Sequence, residues 1–151
     1  MKTTKRLAVV ALLVLGATLY ASCPARAGTY ALTPTGAEPG AAGQFTLSGF
    51  HLVFWAFTTN TSCPYFERWH GSLTVTCQGL TPGARYSTPA GTFKADRNGN
   101  GSAKDMQCNI SYCFLLPHSS VPLPGYVSVV RINPDGSQTL VLSAPLPYPP
   151  N

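Results

Sequence analysis

Hydrophobic and polar residues alternate along much of the chain, in the pattern of β-strands that have one buried face. Residues 45–48 read FTLS, and residues 73–78 read LTVTCQ. A period of two places every apolar side chain of such a segment on the same side of a sheet. We therefore predict a half-buried strand at each place.

Three further segments extend this interpretation. Residues 50–57 are apolar except for His51, which predicts a central strand covered on both faces. Residues 58–71, TTNTSCPYFERWHG, predict an aromatic-rich loop. Residues 102–116 include apolar positions at helical spacing, but they contain the strand-favouring run CNISYCFLL, and we predict a strand there.

Two turn sequences predict β-hairpins. The sequence DRNGNG at 96–101 follows residues 92–95, and NPDG at 133–136 separates residues 127–132 from residues 140–142. Asn, Asp and Gly adopt the positive φ angles of tight hairpin turns. Because Gly and Pro interrupt the chain so often, we predict an all-β protein.

The first 27 residues predict a secretory signal peptide. Basic residues within 2–6 precede the apolar stretch 7–15, and the Ala-Arg-Ala sequence at 25–27 is a small-x-small cleavage site. The apolar stretch is shorter than the ~20 residues of a transmembrane helix. We expect a mature chain that begins at Gly28, has no transmembrane segment and is secreted, either extracellular or periplasmic.

A lipoprotein is the alternative for the N-terminus, because small residues precede Cys23, and acylation of Cys23 would anchor the protein to a membrane.

Cleavage of the signal peptide also changes the net charge of the chain. The full chain carries a net charge of +5, whereas six basic and five acidic residues remain after cleavage. No cluster of Lys and Arg is left, and we predict no binding to nucleic acid.

The cysteine count predicts covalent bridges. Four cysteines remain in the expected mature chain, and an even number in an oxidising compartment predicts two disulfides. Three pairings are open. Long-range bridges between two sheets are favoured, because closing a longer loop removes more entropy from the unfolded chain. The four residues are Cys63, Cys77, Cys108 and Cys113.

The sequence GLTPGARY at 79–86 resembles the tyrosine corner of immunoglobulin-like and fibronectin type III sandwiches. In that family a Leu fills the core and a Tyr hydroxyl bonds to nearby backbone, which are the places of Leu80 and Tyr86. The resemblance covers eight residues. It implies an immunoglobulin-like antiparallel β-sandwich at 28–144, stapled by the two disulfides and followed by a Pro-rich tail at 145–151, and it implies no particular function.

Two motifs could in principle bind a metal. Asp96, Asn98 and Asn100 match the front of a calcium loop, but Gln107 stands where a closing Glu is needed, and a hairpin turn explains the same residues. We predict no metal there.

The second motif joins Cys113 and His118 at the spacing of azurin-type cupredoxins, with His51 as a possible second imidazole. The pattern resembles that of blue-copper proteins and gives an alternative function in electron transfer. No Met occupies the axial region, and a copper thiolate would leave an odd number of cysteines. Disulfide pairing of Cys113 is therefore the preferred interpretation.

Candidate binding residues are the aromatic cluster Tyr65, Phe66 and Trp69 in the predicted loop. Such rings stack on sugars or anchor a protein partner, and they can equally cover the end of a sandwich. Glu67 and His70 could form an acid/base pair, but no nucleophile elbow or pair of catalytic carboxylates accompanies them.

We therefore predict a secreted or cell-surface β-sandwich that is not an enzyme, needs no cofactor and has a binding or structural role. Its partner would be an unknown protein or glycan. The alternatives are a cupredoxin-like copper protein and a carbohydrate-binding module.

Overall fold

The computed structural model describes residues 27–117, 119, 122–123 and 125–150. These residues form eight β-strands and no helix, which confirms the all-β prediction. The predicted cleavage segment before Ala27, and Cys23 with it, lies outside the described residues. The strands are β1 (Ala27–Pro34), β2 (Ala42–Phe57), β3 (Tyr65–Gln78), β4 (Arg85–Thr88), β5 (Gly91–Lys94), β6 (Gly101–Phe114), β7 (Tyr126–Ile132) and β8 (Gln138–Pro145).

All eight strands belong to one antiparallel sheet with the order β5-β4-β7-β8-β1-β2-β3-β6. β1 connects its two halves, because Ala27 to Leu32 pair with β2 and the following two residues pair with β8. The sheet curls until its end strands approach each other, and the Phe93 ring of β5 lies where a side chain at Gly101 of β6 would otherwise stand. The predicted two-sheet sandwich is not confirmed, since the sheet is nearly barrel-shaped.

The core lies inside this curled sheet and follows the predicted alternation. The apolar residues of 45–48 and 73–77 are buried, while the residues between them are partly or fully exposed. The strand predicted at 102–116 is also confirmed as β6. The large aliphatic side chains that are fully buried are Leu47, Leu73, Val75, Val127, Val129, Val141 and Leu142.

A buried carboxylate, Glu38, connects three parts of the chain. It accepts hydrogen bonds from the Tyr86 hydroxyl at 2.8 Å and the Thr81 hydroxyl at 3.0 Å, and it forms a salt bridge with Arg131 at 2.6 Å. The Tyr86 oxygen also accepts the backbone N–H of Thr81, and Leu80 is buried beside it. Burial and the bond to Glu38 raise the pKa of Tyr86. This arrangement ties β4 and β7 to the loop before β2, while kinship with immunoglobulin-like proteins stays a prediction.

Three strands are much longer than the rest. β2, β3 and β6 have 16, 14 and 14 residues, whereas no other strand exceeds 8. Over residues 27–150 as described, β1 pairs with β2 only as far as Ser48, and residues 51–57 of β2 pair with β3 alone. We call residues 51–57, 65–70 and 109–114, which extend beyond the neighbouring strands, the tip.

Two predictions fail at the tip. Residues 50–57 do not form a covered central strand, because residues 51–57 lie at the edge of the sheet and are largely exposed. The predicted loop at 58–71 is also too long, since β3 begins at Tyr65. Pairing with β2 on one side and β6 on the other makes residues 65–71 part of the sheet.

The two hairpin predictions have opposite outcomes. β7 and β8 form the predicted hairpin around Asn133 to Gly136. The DRNGNG segment does not join paired strands, because β5 pairs with β4 and β6 pairs with β3. It is a turn between the two ends of the sheet, in which the Asp96 carboxylate accepts the backbone N–H groups of Asn98 and Asn100.

One disulfide is present, between Cys63 and Cys113, so the prediction of two is wrong. Cys77 and Cys108 are free and buried. The register explains why they do not bond: Cys108 lies opposite Gly71. Gly71 is about 20 Å from Cys77 along β3 at ~3.3 Å per residue, and a disulfide tolerates a Cα separation of only about 7 Å.

The sequence had favoured a bridge between two sheets, and this disulfide does not form one. It connects the loop before β3 to the neighbouring strand β6 and closes a loop with a sequence separation of 50 residues. Loop closure of this length contributes about 4 kcal/mol in the chain-entropy account.

The thiol arrangement predicts a specific titration result. Burial raises the pKa of the Cys77 thiol to about 11, and burial with the nearby Asp105 does the same for Cys108. Because the thiolate is the reactive form, the folded mature chain should not react with Ellman's reagent at pH 8. Unfolding without reductant should release two thiols. Four thiols would show that the bridge is absent, and none would show a second one.

Replacing Glu38 tests the buried network. Glu38→Ala should lower the free energy of unfolding by about 2–4 kcal/mol, because the Tyr86 hydroxyl and Arg131 lose a buried acceptor. Urea unfolding followed by circular dichroism measures the change. Gln138→Ala, at an exposed position, is the control and should stay within about 0.5 kcal/mol of the parent protein. Equal losses in both variants would contradict the proposed role of the network.

Candidate functional site

Cross-strand pairing gives the tip two faces of different character. Residues directly opposite each other in antiparallel strands project to the same side of a sheet. The inner face carries Leu52, Trp55 and Phe57 of β2, Tyr65, Glu67 and Trp69 of β3, and Ile110, Tyr112 and Phe114 of β6. The outer face carries His51, Phe54, Ala56, Phe66, Arg68, His70, Asn109, Ser111 and Cys113.

Glu67 is a buried carboxylate at the centre of the inner face. It accepts hydrogen bonds from the Tyr65 hydroxyl at 3.3 Å, the Trp69 indole N–H at 3.0 Å and the Tyr148 hydroxyl at 2.8 Å. Burial, followed by the hydrogen bond and the charge of Glu67, raises the pKa of Tyr148 to about 12. Three donors thus fix the carboxylate in place.

The C-terminal segment after β8 covers part of the inner face. The Tyr148 ring contacts Trp69, Tyr112 and Phe114, with centroid distances of 6.1, 5.2 and 5.1 Å. The Tyr112 hydroxyl donates a hydrogen bond to the carbonyl of Pro147 at 2.7 Å. Residues 146–150, which lie within the predicted Pro-rich tail, are therefore packed against the sheet.

The predicted aromatic cluster does not form one surface. Tyr65 is buried on the inner face, Trp69 is half-buried there beside Glu67, and Phe66 projects from the outer face against Phe54. Within the tip, the exposed aromatic rings belong to β2, in the segment that the sequence had predicted to be covered. A run of apolar residues was the only sequence signal for them.

An exposed apolar stretch occupies the open edge of the tip. The five large apolar side chains of this stretch are between 42% and 63% exposed. No other strand in the described part of the chain pairs with their free side. We call residues 51–57 the apolar edge; its exposed side chains are Leu52, Val53, Phe54, Trp55 and Phe57.

The apolar edge lacks two of the three features that usually protect exposed strands. Natural edge strands carry charged residues, Pro or bulges that prevent pairing with other chains. No Asp, Glu, Lys or Arg occurs between Glu38 and Glu67. Pro is absent from the edge, and a register shift between Leu52 and Phe54 is its one irregularity. The edge is therefore open to strand addition.

The remaining predicted site residues are not brought together for metal chemistry. The sulfur of Cys113 is bonded to Cys63, so the copper alternative lacks its thiolate, and His118 lies outside the described residues. The His51 ring instead contacts the ring of His70 across the strands. Within the described residues there is no group of three or more His, Cys, Asp or Glu side chains that could hold a metal ion.

Glu67 and His70, the possible acid/base pair, lie on opposite faces of β3. The Glu67 carboxylate accepts three hydrogen bonds on the inner face, while His70 is within hydrogen-bond distance of Asn109 on the outer face, at 3.2 Å. They cannot act on one substrate from these positions.

No family model matches the chain, and no curated protein or solved structure matches it. No helix among the described residues has the length and apolar character needed to span a membrane. The geometry of the tip therefore carries the functional argument.

The two tryptophans should differ in solvent access. Trp55 is 51% exposed, whereas Trp69 is half-buried and bonded to Glu67. Acrylamide should quench Trp69→Phe, which keeps Trp55, with a clearly larger Stern–Volmer constant than Trp55→Phe. Near-equal constants in the folded variants would contradict the exposure of the apolar edge. Low protein concentration is required, so that association does not cover the ring.

Proposed function

We propose that this protein is an exported, non-enzymatic β-sheet protein that binds a partner polypeptide through its apolar edge. The observation that carries the proposal is the row of large apolar side chains exposed on an unpaired strand. A single disulfide and the lack of a membrane-spanning helix in the described chain are compatible with export. The signal peptide ending at Ala27 and the immunoglobulin-like sandwich remain part of the proposal.

Strand addition is the binding mode that suits this surface. An extended segment of the partner would pair with the free backbone N–H and C=O groups of residues 51–57, as in other proteins that bind by β-augmentation. Its side chains would cover the exposed rings and remove apolar area from water, at about 25 cal/mol per Å². The contact segment should be uncharged, because a charge buried there would meet no counter-charge.

Binding is favoured over catalysis because the polar groups of the tip are already engaged. The Glu67 carboxylate accepts three hydrogen bonds, and the imidazole of His70 lies on the other face. A glycan would need polar groups beside an exposed ring. The carboxylate opposite Trp55 is that of Glu67, and it already accepts three hydrogen bonds from protein side chains.

Site-specific photo-crosslinking in the natural source tests the proposal. A photoreactive phenylalanine analogue at Phe57, which is 63% exposed, should give discrete crosslinked protein products after illumination. The matched control places the same analogue at Leu140, which is 44% exposed on β8. Products from Phe57 alone would support the proposal. No product from Phe57, or the same products from both positions, would overturn it.

A further inference from the structure

We infer that the partner bound at the apolar edge is a second copy of this chain, paired antiparallel through residues 51–57 of both copies. The inference rests on the proposed function, because it uses the same surface. It names the occupant, the orientation of the two strands and the symmetry of the assembly.

Charge is the first reason. The chain has no charged side chain from residue 39 to residue 66, so the edge offers nothing that would attract an acidic or basic strand. The partner that complements the apolar edge is an uncharged, apolar strand with unpaired backbone groups. The apolar edge is itself such a strand. Two copies related by a two-fold axis would bring together self-complementary surfaces, as in most homodimers.

The N-terminal end of the domain is the second reason. β1 begins at Ala27, which is paired with Ser48 of β2. Ser48 is the residue of β2 nearest the tip that pairs with a described residue of β1. If the chain is cleaved after Ala27, it begins at Gly28, opposite Leu47. No residue of the mature chain then precedes β1 to continue along the tip. Among the described residues no strand pairs with the free side of residues 51–57, and a second molecule would supply one.

Geometry is the third reason. Antiparallel pairing of the two edges would join the tip strands of both copies into one continuous sheet, in the order β6-β3-β2 and then β2-β3-β6. Cross-strand contacts between aromatic residues stabilise such pairs. Pairing of residues 51–57 with the same segment of a second copy places the two-fold axis at Phe54, so the two Phe54 rings would lie beside each other and Trp55 would lie opposite Val53 of the second copy.

The exposed area sets the expected strength. About half of each of five apolar side chains is exposed, and a buried aromatic side chain accounts for about 150–250 Å². Each copy thus offers about 400 Å² of apolar side chain. Two such surfaces total about 800 Å² before backbone is counted, which lies in the range of weak, reversible interfaces. We expect a dissociation constant on the order of micromolar.

Sedimentation equilibrium of the exported, purified protein tests the inference. The protein concentration should run from about 1 μM to about 500 μM, on both sides of the expected dissociation constant. The protein should convert from monomer to dimer across this range. Phe54→Lys should weaken dimerisation at least about tenfold, because an edge lysine opposes strand pairing. The matched control Leu140→Lys places the same charge on an exposed position of β8 and should dimerise like the parent protein.

Hydrogen exchange of the unaltered protein gives a second measurement that does not depend on how variants fold. Amides of residues 51–57 that are not bonded to β3 should exchange more slowly at high protein concentration than at low concentration. Amides of β7 should not change with concentration. Dimerisation without this protection would show that another surface is used, and it would overturn the inference.

The two proposals can fail separately. A protein that stays monomeric at every concentration but still crosslinks to a different protein through Phe57 would overturn the inference and leave the proposed function standing. A monomer that gives no crosslink at Phe57 would overturn both. A crosslinked product with twice the mass of the chain would support both.

Discussion

The structure depends on hydrogen bonding along both sides of β3. β2 pairs with it on one side and β6 on the other, from Tyr65 to the end of the strand. Three paired strands are enough for a sheet to persist where nothing covers it fully. The tip can therefore continue past Ser48, the last residue of β2 that pairs with β1 in the described part of the chain. Both the apolar edge and the aromatic inner face exist because β2, β3 and β6 extend beyond the ends of the neighbouring strands.

Local alternation predicted the strands that line the core, because burial on one face leaves a period of two in the sequence. It failed for residues 50–57, since an apolar run is the same whether a neighbouring strand covers it or not. Coverage depends on how far the pairing of β1 extends along β2, which is information from elsewhere in the chain. At 65–70 the alternation of Tyr65, Glu67 and Trp69 with their neighbours was present, but the preceding Cys and Pro and the mixed composition favoured a loop.

The site was less predictable than the fold, because its contacts join distant parts of the chain. The Tyr148 hydroxyl reaches Glu67 across 81 residues, and no spacing rule connects them. Counting the cysteines did not predict how many of them are paired, because pairing depends on the register of the assembled strands. The tyrosine-corner segment was more informative, since the Tyr86 oxygen accepts the backbone N–H of Thr81, which is close in sequence, whereas its bond to Glu38 could not be read from spacing.

The burial of Cys77 and Cys108 has a consequence for the maturation of the protein. In an oxidising compartment, an unfolded chain would present all the thiols of its mature part to the oxidant, and mispaired bonds could form. Once β3 and β6 are in register, two of these thiols are enclosed and Cys63 and Cys113 face each other. The assembled sheet thus limits oxidation to one pair of thiols, because it encloses the other two.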